Sequence, residues 1–265
     1  MKAVIVAAGF GTRMLPITKT VPKEMLPVGD KPIIQYTIEG LVAAGITDII
    51  MVTSHQKKAL EDYFDKNYEL EDILQKKGKF DLLALINKPK TMATYTFVKQ
   101  LEMLGTGHAL MQAQHLISDD YFMVIFADTI YPPEAFIEMM KVFTIAPSPI
   151  VAIHQVPKED VYKYGVVQLA GDKIIDFVEK PKVEDAPSNL IWNGAAILPK
   201  RIFSLLQEIE SDHRSGELNL PDAIKALIKE VPITGLSLRP YLDTGSLTGW
   251  LEANAKFLKN GKLFD

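Results

Sequence analysis

Apolar positions along this chain follow two rhythms. Lys2 to Ala8 is a short continuous apolar run rich in β-branched residues and closed by a glycine turn, which predicts a buried strand. Asp48 to Thr53 and Tyr121 to Ala127 read the same way. Between them the spacing lengthens. Pro32 opens a helical pattern with Ile34, Ile38, Leu41 and Val42 on one face and Gly45 as its stop. Ser54 is placed to cap a helix from His55 to Phe64, and Pro133 starts another. Strands alternating with helices imply right-handed crossovers and a largely parallel sheet in the first half.

The second half changes character. Val166 to Leu169 and Lys173 to Val178 flank Ala170-Gly171-Asp172, a hairpin turn, and Asn189 to Leu198 adds a strand. Helical stretches follow at Arg201 to Glu208, Pro221 to Lys229 and Ser246 to Leu258. The lysine-dotted segment from Glu69 to Phe97 shows neither rhythm and reads as an exposed helix with a loop. These elements predict one α/β domain over residues 1–265: a Rossmann-like, mixed but mainly parallel sheet flanked by helices. Its parallel core spans about 1–130, an antiparallel lobe about 131–245, and a C-terminal helix about 246–265.

With 265 residues, 48% of them hydrophobic, the chain is long enough to bury such a core. Its net charge of −4 provides no overall basic field for nucleic acid. The absence of cysteine excludes disulfides, a thiolate nucleophile and Cys-based zinc sites. The amino-terminal apolar run stops at Gly9, too short for a secretory core, and no later stretch approaches the roughly 18 apolar residues of a membrane span. A cytoplasmic protein that engages neither nucleic acid nor membrane is expected.

The first strand runs directly into Gly9-Phe10-Gly11-Thr12-Arg13. Glycines there let backbone N–H groups approach an anion without a Cβ in the way. A dinucleotide fingerprint would need its third glycine at Met14, and a P-loop fails at the same position. Arg13, Lys19 and Lys23 follow closely, set among Pro16, Pro22 and Pro27. Prolines break helices and stiffen the backbone, so these cations are not the wet face of a helix. A rigid cationic loop beside a glycine turn suits a triphosphate.

The string Gly9-Phe10-Gly11-Thr12-Arg13-Met14-Leu15-Pro16-Ile17-Thr18, then Lys23-Glu24-Met25-Leu26-Pro27, then Lys31-Pro32, resembles the signature of the sugar-nucleotide pyrophosphorylases. Within that family it is similar to the bacterial branch of UTP–glucose-1-phosphate uridylyltransferases. Further pieces occur in family order: Gln100 with Gly105-Thr106-Gly107-His108-Ala109, Asp128, Tyr164-Gly165-Val166-Val167, Glu179-Lys180-Pro181, Asn193-Gly194, Gly216-Glu217 through Ile224, and Leu242-Asp243-Thr244-Gly245. Three positions depart from the branch pattern. Leu104 stands where a lysine is usual, Thr106 where a leucine is, and Pro221 where a threonine is.

The resemblance implies a nucleotide-diphospho-sugar transferase fold, with the parallel core binding nucleotide and the antiparallel lobe binding sugar. It implies transfer of a uridylyl group from UTP to glucose 1-phosphate, giving UDP-glucose and pyrophosphate, in a Mg²⁺-dependent homo-oligomer. Arg13 and Lys23 become the catalytic cations. Ala8, Gly9, Gly11, Thr12, Arg13, Gln100, Gly105 and Asp128 become nucleotide-binding positions. Gly165, Glu179, Lys180 and Asn193 fall to the sugar phosphate, and Asp128 with Asp243 to the metal. A thymidylyltransferase, or a uridylyltransferase for another hexose 1-phosphate, stays open. A glycosyltransferase would carry a D-x-D motif, which Asp128-Thr129-Ile130 lacks, and a non-catalytic domain would be expected to have lost one of these charges. The five histidines, His55, His108, His115, His154 and His213, show no metal-ligand spacing, and Lys57-Lys58 reads as a solvated face.

Overall fold

The computed structural model describes residues 1–211, 216–238 and 241–264, so His213 lies outside the described residues. Nine strands form one sheet: β1 (Ala3–Val6), β2 (Asp48–Thr53), β3 (Thr94–Lys99), β4 (Tyr121–Phe126), β5 (Ile150–Gln155), β6 (Gly165–Ala170), β7 (Lys173–Glu179), β8 (Leu190–Pro199) and β9 (Ile233–Ser237). Their order is β3-β2-β1-β4-β8-β5-β9-β7-β6. The first four are mutually parallel, β8 runs against its neighbours β4 and β5, and β6 and β7 form the hairpin at Gly171. The sheet curls enough for β6 to pair with β8 as well. This is the expected mixed, mainly parallel sheet, and its antiparallel strands extend the same sheet rather than form a second one.

Why these runs become strands is visible in how they are buried. Val4, Ile50, Val52, Phe122 and Val124 point to one face, which Leu110, Phe203, Leu206, Ile224 and Leu227 cover. The alternate residues Ala3, Ile5, Ile49, Met51, Met123 and Ile125 point to the other, against Ile34, Ile38, Leu41, Phe136 and Met139. Strands buried on both faces must be apolar throughout, so β1, β2 and β4 read as unbroken runs. The helices are α1 (Ile33–Ala43), α2 (Lys58–Tyr63), α3 (Tyr68–Lys76), α4 (Phe80–Thr91), α5 (Thr106–Met111), α6 (Pro133–Ile145), α7 (Ile202–Glu208), α8 (Leu220–Ile228) and α9 (Leu247–Asn260), of which α1, α2, α5, α6, α7 and α8 cover the sheet. No helix among the described residues is long and apolar enough to cross a membrane.

Two local expectations change. The segment from Glu69 to Phe97 is not a helix and a loop but α3, α4 and the start of β3. Its strand is half-exposed on both faces, which hides the apolar signal. Ser54 is buried and caps nothing; Lys57 N–H closes a turn on its carbonyl at 3.0 Å, and the helix starts only at Lys58.

Gly194 interrupts β8 inside the register shift between Trp192 and Ala196, at φ +90. A Cβ there would lie 2.5 Å from the Phe126 ring. Both the left-handed backbone and the close ring demand glycine. Gly194→Ala is expected to cost about 2–4 kcal/mol, the sum of backbone strain and overpacking, read as a lowered urea midpoint. An unchanged midpoint would show that the strand can flatten there.

Candidate active site

The loop after β1 stays outside regular helix because its prolines and glycines forbid one. It folds as three short 3-10 turns, Thr12–Met14, Ile17–Lys19 and Lys23–Met25. Gly11 takes φ +68, and its carbonyl accepts from Met14 N–H at 2.9 Å and Thr18 Oγ1 at 2.8 Å. The loop is then clamped from outside by α9. Trp250 Nε1 donates to Pro27 O at 2.8 Å, Asn254 Oδ1 accepts from Gly29 N–H at 3.2 Å, and Phe257 fills the space a Cβ on Gly29 would need. Met14, Leu26, Val28 and Ile33 bury against Ala253 and Leu263 beneath this clamp.

So held, the loop presents Lys23 to Asp128, just beyond the end of β4. Lys23 Nζ lies 2.5 Å from Asp128 Oδ2, and Arg13 Nη2 lies 3.8 Å from the same oxygen. Side-chain exposure is 16% for both Lys23 and Asp128 but 57% for Arg13. Burial presses the Asp128 carboxyl upward, yet the Lys23 ammonium and the Arg13 guanidinium outweigh it and hold it below the usual carboxylate value. Burial likewise presses Lys23 down, and Asp128 and Glu24 together keep it above the usual lysine value. Both groups are therefore charged throughout the neutral range.

Asp243 reaches the same place from 115 positions further along, and the backbone explains how. The short strand Leu242–Asp243 pairs antiparallel with Thr129–Ile130. Thr244, fully buried, donates both its N–H (2.9 Å) and its hydroxyl (2.8 Å) to the Asp128 carbonyl. Asp243 Oδ2 accepts from the Tyr164 hydroxyl at 2.8 Å and Oδ1 from Gly245 N–H at 2.9 Å. One point, where a Cβ on Gly245 would sit, is 2.7 Å from Asp128 Oδ2, 3.1 Å from Asp243 Oδ1 and 2.7 Å from Arg13 Nη2. Two carboxylates thus converge, and the donor set is all oxygen. Among the described residues no group of three or more metal-ligating side chains gathers. The pair fits a hard cation that completes its shell with phosphate and water, as magnesium does.

On the other wall, Gly165 opens β6 opposite Glu179, and a Cβ on it would lie 3.0 Å from Glu179 Oε2. Burial pushes the Glu179 carboxyl above its usual value, against the pull of Lys180, whose Nζ is 3.5 Å away. Lys180 carries the one left-handed non-glycine backbone among the described residues, φ +43, tied by its N–H to Tyr164 O at 3.0 Å. Such conformations persist where the surroundings over-determine them, often at sites. Asn193 is 8% exposed and lines the same cleft, with its Nδ2 unpartnered. The cleft continues past Glu179 and Lys180 to Gly9, Thr12, Gln100 and Gly105. Of the expected nucleotide positions, Ala8 is buried in the core cluster under the loop, so only its backbone can serve.

The departures at Thr106 and Pro221 prove to be neighbours along this cleft. Asn219 precedes α8 without a capping side chain, and Thr106 Oγ1 instead accepts from Leu220 N–H at 3.1 Å. Pro221 occupies the first turn of α8, where its missing N–H costs nothing.

Sequence reasoning missed Lys57. It is not solvated: its Nζ forms a buried pair with Glu24 Oε2 at 2.7 Å, the two side chains being 5% and 0% exposed. Burial lowers the Lys57 value, with Glu24 opposing, and Glu24 Oε1 has no partner. The pair anchors the residue next to Lys23 against the turn after β2. A partner at such sequence distance leaves no local signal.

The chain as a whole has counterparts among known proteins. The family described as Nucleotidyl transferase matches residues 2–260. A UTP–glucose-1-phosphate uridylyltransferase of Staphylococcus epidermidis is 41% identical over 264 residues, covering 97% of this chain and 91% of its own length. A crystal structure of a UDP-glucose pyrophosphorylase complexed with UDP-glucose superposes with a TM-score of 0.84 at 37% identity, over 97% of this chain and 98% of that one. A UTP-bound UGPase from Acinetobacter baumannii superposes with a TM-score of 0.88 at 35% identity, over 99% and 95% of the two chains.

Lys57→Met is expected to destabilise the fold by about 3–5 kcal/mol in urea titration, because it leaves the Glu24 carboxylate buried and unpaired. Adding Glu24→Leu should recover most of the loss. A single variant within about 1 kcal/mol of the parent would contradict a buried ion pair.

Proposed function

The chain belongs to the nucleotidyl transferase family, and from that premise we propose that it transfers a uridylyl group from UTP to glucose 1-phosphate, releasing UDP-glucose and pyrophosphate. The reading takes its substrates from relatives similar over nearly the whole chain. The observation that carries its chemistry is the meeting of Arg13, Asp128 and Asp243 around one point in the cleft, with Lys23 held on the same Asp128 oxygen.

A sugar-phosphate oxygen attacks the α-phosphorus of UTP; a new P–O bond forms there, and the bond to the β-phosphate oxygen breaks with its electron pair. The attacking oxygen is already anionic, so no general base is needed. The barrier lies in bringing two polyanions together and in the charge that builds on the transferred phosphoryl and the departing pyrophosphate. Lys23, fixed by its loop, serves the α-phosphoryl oxygens. Arg13, exposed at the rim, serves the leaving phosphates together with the backbone of Gly9, Gly11 and Thr12. Lys180 orients the incoming phosphate, while Gly165, Glu179 and Asn193 hold sugar hydroxyls; the unpartnered Asn193 Nδ2 supports that role. Gln100 and Gly105 face the base. Asp128 and Asp243 would hold Mg²⁺, which supplies Lewis-acid neutralisation of phosphoryl charge when bound.

Residues 1–130 are then the nucleotide-binding part, 131–245 the sugar-binding part, and α9 the clamp over the cationic loop. We place the enzyme in the cytoplasm, where its phosphorylated substrates are made. Exposed apolar side chains on α3 and α4, among them Tyr68, Phe80 and Leu85, support the homo-oligomer expected from the family.

Pyrophosphate release with UTP, dTTP, CTP and ATP against several sugar 1-phosphates tests this reading. UTP with glucose 1-phosphate should give the highest kcat/KM, and activity should vanish in EDTA. Lys23→Ala is expected to lose on the order of 10²–10³ in kcat, as for an oxyanion donor. Turnover confined to dTTP would replace the base assignment, and a Lys23→Ala enzyme turning over like the parent would remove the catalytic one.

A further inference from the structure

Gln100 follows β3 directly and is 3% exposed, at the floor of the cleft beside Gly9, Met103 and Gly105. Its amide nitrogen has two hydrogens, and both are used inside the protein. One goes to the Gly105 carbonyl at 3.1 Å, the other to His108 Nδ1 at 3.0 Å. A carbonyl can only accept, so the Gly105 contact fixes which way the amide faces. The His108 contact is then a hydrogen bond only if Nδ1 is the unprotonated nitrogen and Nε2 carries the hydrogen. In that tautomer the Gln112 amide nitrogen, 3.4 Å from His108 Nε2, makes no bond to the ring and donates instead to the His108 carbonyl at 3.0 Å. What remains for a ligand is Gln100 Oε1, an acceptor with no donor bonded to it among the described residues.

His108 is itself held firmly. Gly105, at φ +96, lets the chain turn into α5 against Leu218, whose carbonyl accepts from Gly107 N–H at 2.8 Å. The imidazole therefore sits in a fixed place behind the glutamine. Without its Nδ1, half of the amide nitrogen's bonding is lost, and the reversed amide becomes the competing state.

We propose that His108 is a positioning residue for base selection: by accepting from the Gln100 amide it leaves the cleft only an acceptor. That favours a pyrimidine whose ring N3 carries hydrogen, uracil or thymine, over cytosine, whose N3 carries a lone pair. The argument rests on the reading that the Gln100 cleft takes the base. His108 touches no reacting atom in this account.

The test compares dissociation constants of UTP and CTP, by calorimetry, for the parent, His108→Leu, His108→Asn and Gln100→Leu. Asparagine can put its Oδ1 where Nδ1 stood. His108→Leu should lower the preference for UTP over CTP by about tenfold, the worth of one buried hydrogen-bonded contact. His108→Asn should stay within about threefold of the parent, and KM for glucose 1-phosphate should not move in either. A His108→Leu protein with the parent's preference, or a His108→Asn protein that falls as far as His108→Leu, would overturn the proposal. If Gln100→Leu alone erases the preference, base reading stands and the role of His108 fails. If Gln100→Leu changes nothing, the base lies elsewhere and both fail together. Should His108→Leu not fold, His108→Ala carries the same comparison.

Discussion

The cleft depends on one contact, the Lys23 ammonium against the Asp128 carboxylate. Each alone would be costly in a place so poor in water, and together they neutralise one another. Arg13 and Asp243 join the pair: Arg13 Nη2, Asp128 Oδ2 and Asp243 Oδ1 surround a single point, with Lys23 paired to the same Asp128 oxygen, so two positive and two negative groups meet there. Such a site is electrically balanced at rest and unbalanced by design once a phosphate chain claims the cations. The acids are then free for a divalent ion that accompanies the nucleotide. The same four charges can so serve both as a stable resting arrangement and as separate binding elements.

Most of the remaining structure fixes those four groups. The two-faced sheet delivers Asp128 at the end of a central strand, and Thr244 welds Asp243 to it through the Asp128 carbonyl. The cationic loop has little secondary structure of its own. It is pinned below by the buried Glu24–Lys57 pair and above by Trp250, Asn254 and Phe257 of α9. A helix late in the chain thus stiffens the loop near its beginning, and the family match, which reaches residue 260, includes that helix.

Legibility in the sequence followed burial. β1, β2 and β4 are covered on both faces and could be read from apolar runs; α1, α6 and α9 carried start or stop residues. β3 was lost because it is half-exposed and follows a lysine-rich stretch. β5 and β9 go unmarked although Pro147, Pro149 and Pro157 bracket β5 and Pro232 precedes β9; Gly235 inside β9 breaks its run. The charges of the site were legible as residue types in order, but their pairing was not. Lys57 reads as solvated from its neighbours alone, because Glu24 is 33 positions away. Ser54 looks like a cap until the turn at Lys57 takes its carbonyl. His108 shows no metal spacing, and its contact to Gln100 exists only because the chain turns at Gly105.

The central claim is that Asp128 occupies Lys23 until nucleotide and metal arrive. UTP affinity measured in EDTA tests it most directly, because it separates the cation from the ion. With Asp128→Asn, Lys23 is released and a repelling carboxylate removed, so metal-free UTP should bind tighter than to the parent by about tenfold, the scale of one charge contact. Equal or weaker binding would contradict the account.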